Sequence, residues 1–297
     1  MKRAGCPLAN FDFDQAEGLR RMLAGVQPRV LTFLSATPQD DKGAMLVNLG
    51  ASLAHAGNEV LLLDASTSGD GVAARLGLAH GASLLDVARQ QCGLNQVIHQ
   101  VPQGFGVATL GARNHLMDGP GYASDDEARR LAKTFEVMAR QAGIVLVDGD
   151  MDLAGQGGAC FPVPMMASAD IVVQVSTSAT SIKAAYCLIK RLNQELGRRP
   201  FGILVTGASE IEAKVVYDNM AQAASRYLAV KLTSMGSVPA DEYLHRAARL
   251  GRSVIDAFPM AGASVAFRGL AERMARSAAP VLGSSLCQTG SMQHLSA

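Results

Sequence analysis

Four short runs constrain this chain more than anything else in it: "EVLLLDA", "IVLVDGD", "DIVVQVS" and "FGILVTG". Each is apolar along its length, without the polar alternation of a strand that keeps one face in water. Strands of this kind are buried on both faces, as in a parallel sheet. Helical stretches separate them, so each strand returns by a crossover, and crossovers of this kind are right-handed. The pattern predicts an α/β fold: a single doubly wound, mainly parallel sheet with helices on both faces. With 297 residues, 48 % of them hydrophobic, the chain can supply such a core.

The remaining elements follow in order. "RVLTFLS" reads as a strand ahead of the four. "KGAMLVNLGASLAHAGN" reads as a helix whose apolar stripe is Met45, Leu46, Leu49, Leu53 and Ala54, ending at Gly57. "SLLDVARQ" is a short helix, "GFGVATLGA" a strand, and "DDEARRLAKTFEVMARQAG", "SIKAAYCLIKRLNQELG" and "EIEAKVVYDNMAQAASRYL" are amphipathic helices. "KLTSMGSVP" closes the series, and "AFRGLAERMARSAAPVL" is the last helix, with Phe267, Leu270 and Met274 inward. No Pro/Gly/Ser-rich linker divides the chain. The expected organisation is an extension over 1–27, one α/β domain over 28–282 and a polar tail over 283–297. Within the extension, Ala16, Leu19 and Leu23 recur at helical spacing between a capping Asp14 and a terminating Gly25.

Charge and cysteine usage exclude several classes. A net charge of +1 provides no basic field for nucleic acid. The five cysteines are scattered and odd in number, which fits a reducing, cytoplasmic setting better than a disulfide framework. The N-terminus lacks the apolar core of a signal peptide. No apolar run approaches the ~20 residues that span a bilayer, and the tail lacks the basic amphipathic character of an interfacial anchor. The six histidines form no pair at ligand spacing, and "DGDMD" lacks the completion of a calcium loop.

In doubly wound sheets ligands sit at the carboxyl ends of the strands. Three segments meet there: "SATPQDDKGA" after the first strand, "LLLDAS" and "IVLVDGD". A lysine opening a helix, with aspartates at two buried strand tips, is a layout for phosphate and magnesium. The blander reading is a solvated Lys42 in a first helical turn, with Asp64 and Asp148 capping turns.

Over nearly its whole length the chain resembles the MinD/ParA deviant Walker ATPases, which have a P-loop NTPase-like fold, and within them the flagellar-number regulators of the FlhG (FleN) type. "GNEVLLLDAS" is similar to the family's "GKRVLLLDAD", and "GIVLVDGD" to its Walker B strand, which places the Walker B aspartate on Asp148. The family's phosphate loop, roughly KGGxGKT, lays its final lysine on Lys42. Its Thr/Ser falls on Gly43 and its signature lysine on Thr37. "DQAEGLR" is similar to the FlhG element DQAxxLR. That resemblance implies a partner-binding helix carrying Asp14, Gln15, Ala16, Leu19, Arg20 and Leu23. It also implies an FlhF-type GTPase of the signal-recognition-particle class as partner, alongside other flagellar assembly or transcription factors.

The resemblance implies a degenerate nucleotide site of Thr37, Lys42, Gly43, Asp64, Ser66 and Asp148, in which Lys42, Asp64 and Asp148 match the family and the other positions depart from it. Pro38, Gln39 and Asp41 occupy the places of loop glycines. Asp40 and Asp41 bring negative charge where a triphosphate would lie. Gly43 has no hydroxyl for Mg2+, Ser66 replaces a second aspartate, and Thr206 stands where the family often carries an adenine-reading Asn. The expectation is a degenerate ATPase that regulates through protein contacts. ATP and Mg2+ are its ligands only if the altered loop still binds them, and no metal site is assigned. The alternatives are an active ATP-driven switch and a MinD-like regulator of cellulose synthesis or partitioning.

Overall fold

The computed structural model describes residues 28–66, 71–78, 81–111, 125–151, 161 and 163–278. The segment that carries Asp14, Gln15, Ala16, Leu19, Arg20 and Leu23 lies outside these residues, as does the tail over 283–297.

Alternate residues of each central strand go to opposite cores, which is why the strands show no polar alternation. In β1 (Arg29–Ser35) Leu31 and Phe33 enter one core and Leu34 the other. In β2 (Val60–Ala65) Val60 and Leu62 oppose Leu61 and Leu63. In β5 (Ile144–Gly149) Ile144 and Leu146 oppose Val145 and Val147. The other strands are β3 (His99–Gln100), β4 (Gly106–Thr109), β6 (Asp170–Ser176), β7 (Phe201–Thr206) and β8 (Leu232–Val238). The order across the eight-stranded sheet is β3-β4-β2-β5-β1-β6-β7-β8. All neighbours are parallel except β3 and β4, which pair antiparallel at one edge.

Helices cover both faces. Helix α1 (Lys42–His55) buries Met45, Leu46, Leu49 and Leu53 as its period requires, while Ala54 is half-buried. Gly57 follows it with φ +83°, a left-handed exit that glycine adopts without strain. The short helices α2 (Val72–Arg75) and α3 (Leu84–Ala88) precede the β3–β4 hairpin. Then come α4 (Asp125–Ala139), α5 (Pro164–Ser168), α6 (Ala179–Leu196), α7 (Glu210–Leu228), α8 (Glu242–Arg249), α9 (Val254–Ala257) and α10 (Gly262–Ala278). Phe267, Leu270 and Met274 of α10 are buried. The edge strand β3 and the one-turn helices α2 and α5 were not foreseen, being too short for a periodic signal.

Two polar ties hold α1 and β1 to the C-terminal half. Asn48 accepts a hydrogen bond from the Val254 amide at 2.7 Å and donates to the Ala44 carbonyl at 2.8 Å. Arg29 pairs with Asp170 at 3.1 Å and donates to the Met274 carbonyl at 2.6 Å.

Leu62 is fully buried mid-sheet. Leu62→Ala should lower unfolding stability by about 2–5 kcal/mol, read from urea denaturation. A loss below about 0.5 kcal/mol, the range of surface substitutions, would contradict the two-core arrangement.

Candidate functional site

The carboxyl ends of β1, β2 and β5 converge beside the start of α1. The β1 loop leaves the sheet through a 3-10 turn over Pro38–Asp40. Pro38 stands at its first position, where the missing N–H has no helical partner to lose. Asp40 turns inward rather than toward a phosphate position. Its Oδ2 accepts from the Thr37 amide at 3.2 Å, the Thr37 hydroxyl at 2.8 Å and the Ser181 hydroxyl at 3.0 Å. Asp41, not Pro38, carries the left-handed bend of the loop, with φ 49° and ψ 55°. Aspartate tolerates this region better than most residues. Its carboxylate caps α1 by accepting from the Ala44 amide at 3.3 Å, and pairs with Arg75 at 2.5 Å.

Lys42 is not the solvated lysine of the blander reading. It is 7 % exposed, against 1 % for Asp148. Its ammonium lies 2.9 Å from Asp148 Oδ1 and 2.9 Å from Asp150 Oδ1, and also donates to the Gly149 carbonyl. The ammonium donates hydrogen bonds to Asp150 Oδ1 and the Gly149 carbonyl, and Asp148 Oδ1 is its ion-pair partner. Burial alone would lower the Lys42 pKa, but the charges and hydrogen bonds of Asp148 and Asp150 outweigh it and hold the pKa above the ordinary lysine value.

Asp64 and Asp148 stand side by side, because β2 and β5 are paired in register at these two residues. Asp64 accepts from the Ser66 amide at 3.0 Å and the Ala73 amide at 2.7 Å, and Asp148 from the Val72 amide at 3.2 Å. Both carboxylates therefore hold the first turn of α2, the turn-capping role, while Asp148 also meets Lys42. Gly71 is required here: a Cβ would lie 2.5 Å from an Asp64 oxygen. Burial, then the neighbouring Asp148, push the Asp64 pKa up from 3.8 to about 6. The Ser66 hydroxyl donates to Asp150 Oδ2 at 3.0 Å.

Lys42, Asp64, Ser66 and Asp148 thus come together. Gly43 is buried at the start of the same helix, and Thr37 braces the loop from its other end. Asp150 and Arg75 complete the cluster and were missed as site residues. Asp150 stands two positions beyond Asp148, and that spacing was a readable signal. Arg75 had none, because only the fold brings it to Asp41. Among the described residues no cluster of three or more His, Cys, Asp or Glu side chains forms a metal site.

These residues do not fit a magnesium triphosphate. The Lys42 ammonium is turned to Asp148, Asp150 and the Gly149 carbonyl, position 43 offers no hydroxyl, and the Asp41 carboxylate caps the helix N-terminus where an anion would sit.

The solved structures this chain resembles define its class. It superposes on a chain of the MinC:MinD cell division protein complex of Aquifex aeolicus with a TM-score of 0.61, at 21 % identity, over 85 % of this chain and 98 % of that one. It superposes on the septum site-determining protein MinD complexed with Mg-ADP from Pyrococcus horikoshii with a TM-score of 0.59, at 14 % identity, over 86 % and 100 %. The fold is therefore that of the MinD/ParA P-loop proteins. In sequence the chain is 30 % identical over 229 residues to the antiactivator FleN of Pseudomonas aeruginosa, covering 77 % of this chain and 79 % of that protein. It belongs to the MinD/ParA-type ATPase family, on the FleN (FlhG) side of it. No protein-family model matches the chain.

The raised Asp64 pKa sets a pH dependence. Folding favours the protonated form between pH 3.8 and about 6. The stability this group contributes is full below pH 3.8 and is lost as pH rises through about 6. Asp64→Asn, which mimics the protonated form, should therefore raise the thermal midpoint relative to wild type at pH 7 more than at pH 4. An equal difference at both values would contradict the assignment.

Proposed function

We propose that this chain regulates flagellar number or placement in the manner of FlhG and FleN, through protein contacts, with ATP hydrolysis lost. The observation that carries the reading is the Lys42 ammonium, engaged by Asp148, Asp150 and the Gly149 carbonyl in the place where a triphosphate would need it. Similarity to an antiactivator supports a role in restraining another protein rather than in a reaction of its own. The regulatory element is the N-terminal "DQAEGLR" helix, and its partner is an FlhF-type GTPase. Ala16, Leu19 and Leu23 form its docking face, while Gln15 and Arg20 meet polar groups of the partner and Asp14 caps the helix. No helix among the described residues is long and apolar enough to cross a membrane.

The competing reading is an active ATP-driven switch. What favours it is the left-handed bend retained at Asp41 just before α1, which preserves the course of a phosphate loop. Titration with a fluorescent ATP analogue and Mg2+ separates the two. No saturation in the micromolar range, and no shift from monomer to dimer by light scattering, are expected. Micromolar binding that Lys42→Ala abolishes would overturn the reading.

A peptide of residues 1–25 should by itself stimulate an FlhF-type GTPase. A leucine anchor is worth about 2 kcal/mol or more, so Leu19→Ala should weaken partner binding about 30-fold. Failure of both peptide and full chain to bind such a GTPase would remove the flagellar assignment.

A further inference from the structure

Large apolar side chains that stand exposed gather in two places on this molecule. Scattered singly they are ordinary, whereas grouped they mark a contact surface. The first group is on the outer face of α7, where Ile211 and Val215 stand one turn apart, Ile211 at 79 % exposure. Asp218 continues that face, with Glu210, Glu212 and Lys214 beside it, all of them exposed. The face is apolar with a net negative rim. The second group is Leu250, at the end of α8, with Met260 and Val265 where α10 begins, and Met260 is 87 % exposed. Arg246 lies over the Tyr243 and Phe258 rings, and Arg268 donates to the Pro259 carbonyl at 2.7 Å. These contacts join α8, the turn over 258–260 and the start of α10 into one surface. Arg246, Arg249, Arg252 and Arg268 make its rim net positive against Glu242 and Glu272, and His245 lies at its edge.

Among the described residues, no carboxylate of the first face and none of the four arginines of the second has an ion-pair partner. The two faces are complementary in charge, and each offers apolar anchors to the other. They cannot meet within one molecule. Helix α7 packs on one side of the sheet through Ala213, Val216 and Met220, while α8 and α10 pack on the other through Ala247, Phe267 and Leu270. The sheet stands between them, so the face that fits either one is carried by a second copy.

We propose that this protein associates with itself head to tail, the Ile211–Val215 face of one copy docking on the Leu250–Met260–Val265 face of the next. Ile211 and Val215 pack against Met260 and Leu250, while Asp218 and Glu210 meet Arg246 and Arg249 at the rim. Such a contact is heterologous: each copy keeps one face free, so the assembly continues as a chain or closes as a ring. The contact uses no residue of the Lys42 cluster, so it needs no nucleotide and does not depend on the regulatory role. The rim charges steer the approach and fix the register, and salt screens them.

Sedimentation velocity of the full-length protein tests this. A small contact with a charged rim is weak, so association should grow between about 10 and 100 μM protein at about 50 mM salt, equally with and without Mg·ATP. Raising the salt to about 0.5 M should weaken it at least tenfold. Ile211→Lys breaks the first face and Met260→Glu the second. Both positions are exposed, so each variant should keep the thermal midpoint of wild type and sediment as a monomer. Mixed in equal amounts, the two variants still hold one intact face of each kind and should form a 1:1 dimer that grows no further. The proposal is overturned if wild type stays monomeric over this range or associates only with Mg·ATP. It is equally overturned if both variants associate as wild type does, or if the mixture remains monomeric.

Discussion

The ammonium of Lys42, held by Asp148, Asp150 and the Gly149 carbonyl, is the interaction on which the arrangement of the site depends. It joins the first turn of α1 to the end of β5. Through Ser66 on Asp150, and Asp64 beside Asp148, it reaches the end of β2 as well. These segments are tied to one another by side chains of the protein itself.

That closure explains how an apparently eroded loop keeps an ordered shape. Asp40 satisfies the Thr37 amide and hydroxyl, Asp41 caps α1 and pairs with Arg75, and the α2 amides rest on Asp64 and Asp148. The acidic residues that look hostile to a triphosphate are the internal hydrogen-bond acceptors of the loop. A buried ion pair is weak evidence for stability in itself, because desolvation offsets much of the attraction. Its consequence here is specificity of arrangement: three strand ends meet in one way.

The fold was legible because its signal is long and redundant. Val60 to Leu63 and Ile144 to Val147 face two cores, so every position must be apolar, and one sequence suffices to see it. The α1 stripe was equally plain. The site was legible in its residue types and not in its pairings. Lys42 was readable as a lysine opening a helix, but whether it faces water or carboxylates depends on where β5 ends, which is a long-range contact. Asp40 and Asp41 were read as one repulsive pair. The turn rotates one inward and one to the helix cap, and only the backbone angles at Asp41 decide that.

The most direct test of the account is the urea unfolding free energy of wild type and Lys42→Met, each with and without Mg·ATP. Removing one partner of a buried pair leaves uncompensated charge and costs about 3–5 kcal/mol. The expected result is a loss of that size in Lys42→Met, with neither protein stabilised by Mg·ATP. A Lys42→Met protein as stable as wild type, together with a wild type that Mg·ATP stabilises, would show that the lysine serves a nucleotide, and would contradict the account.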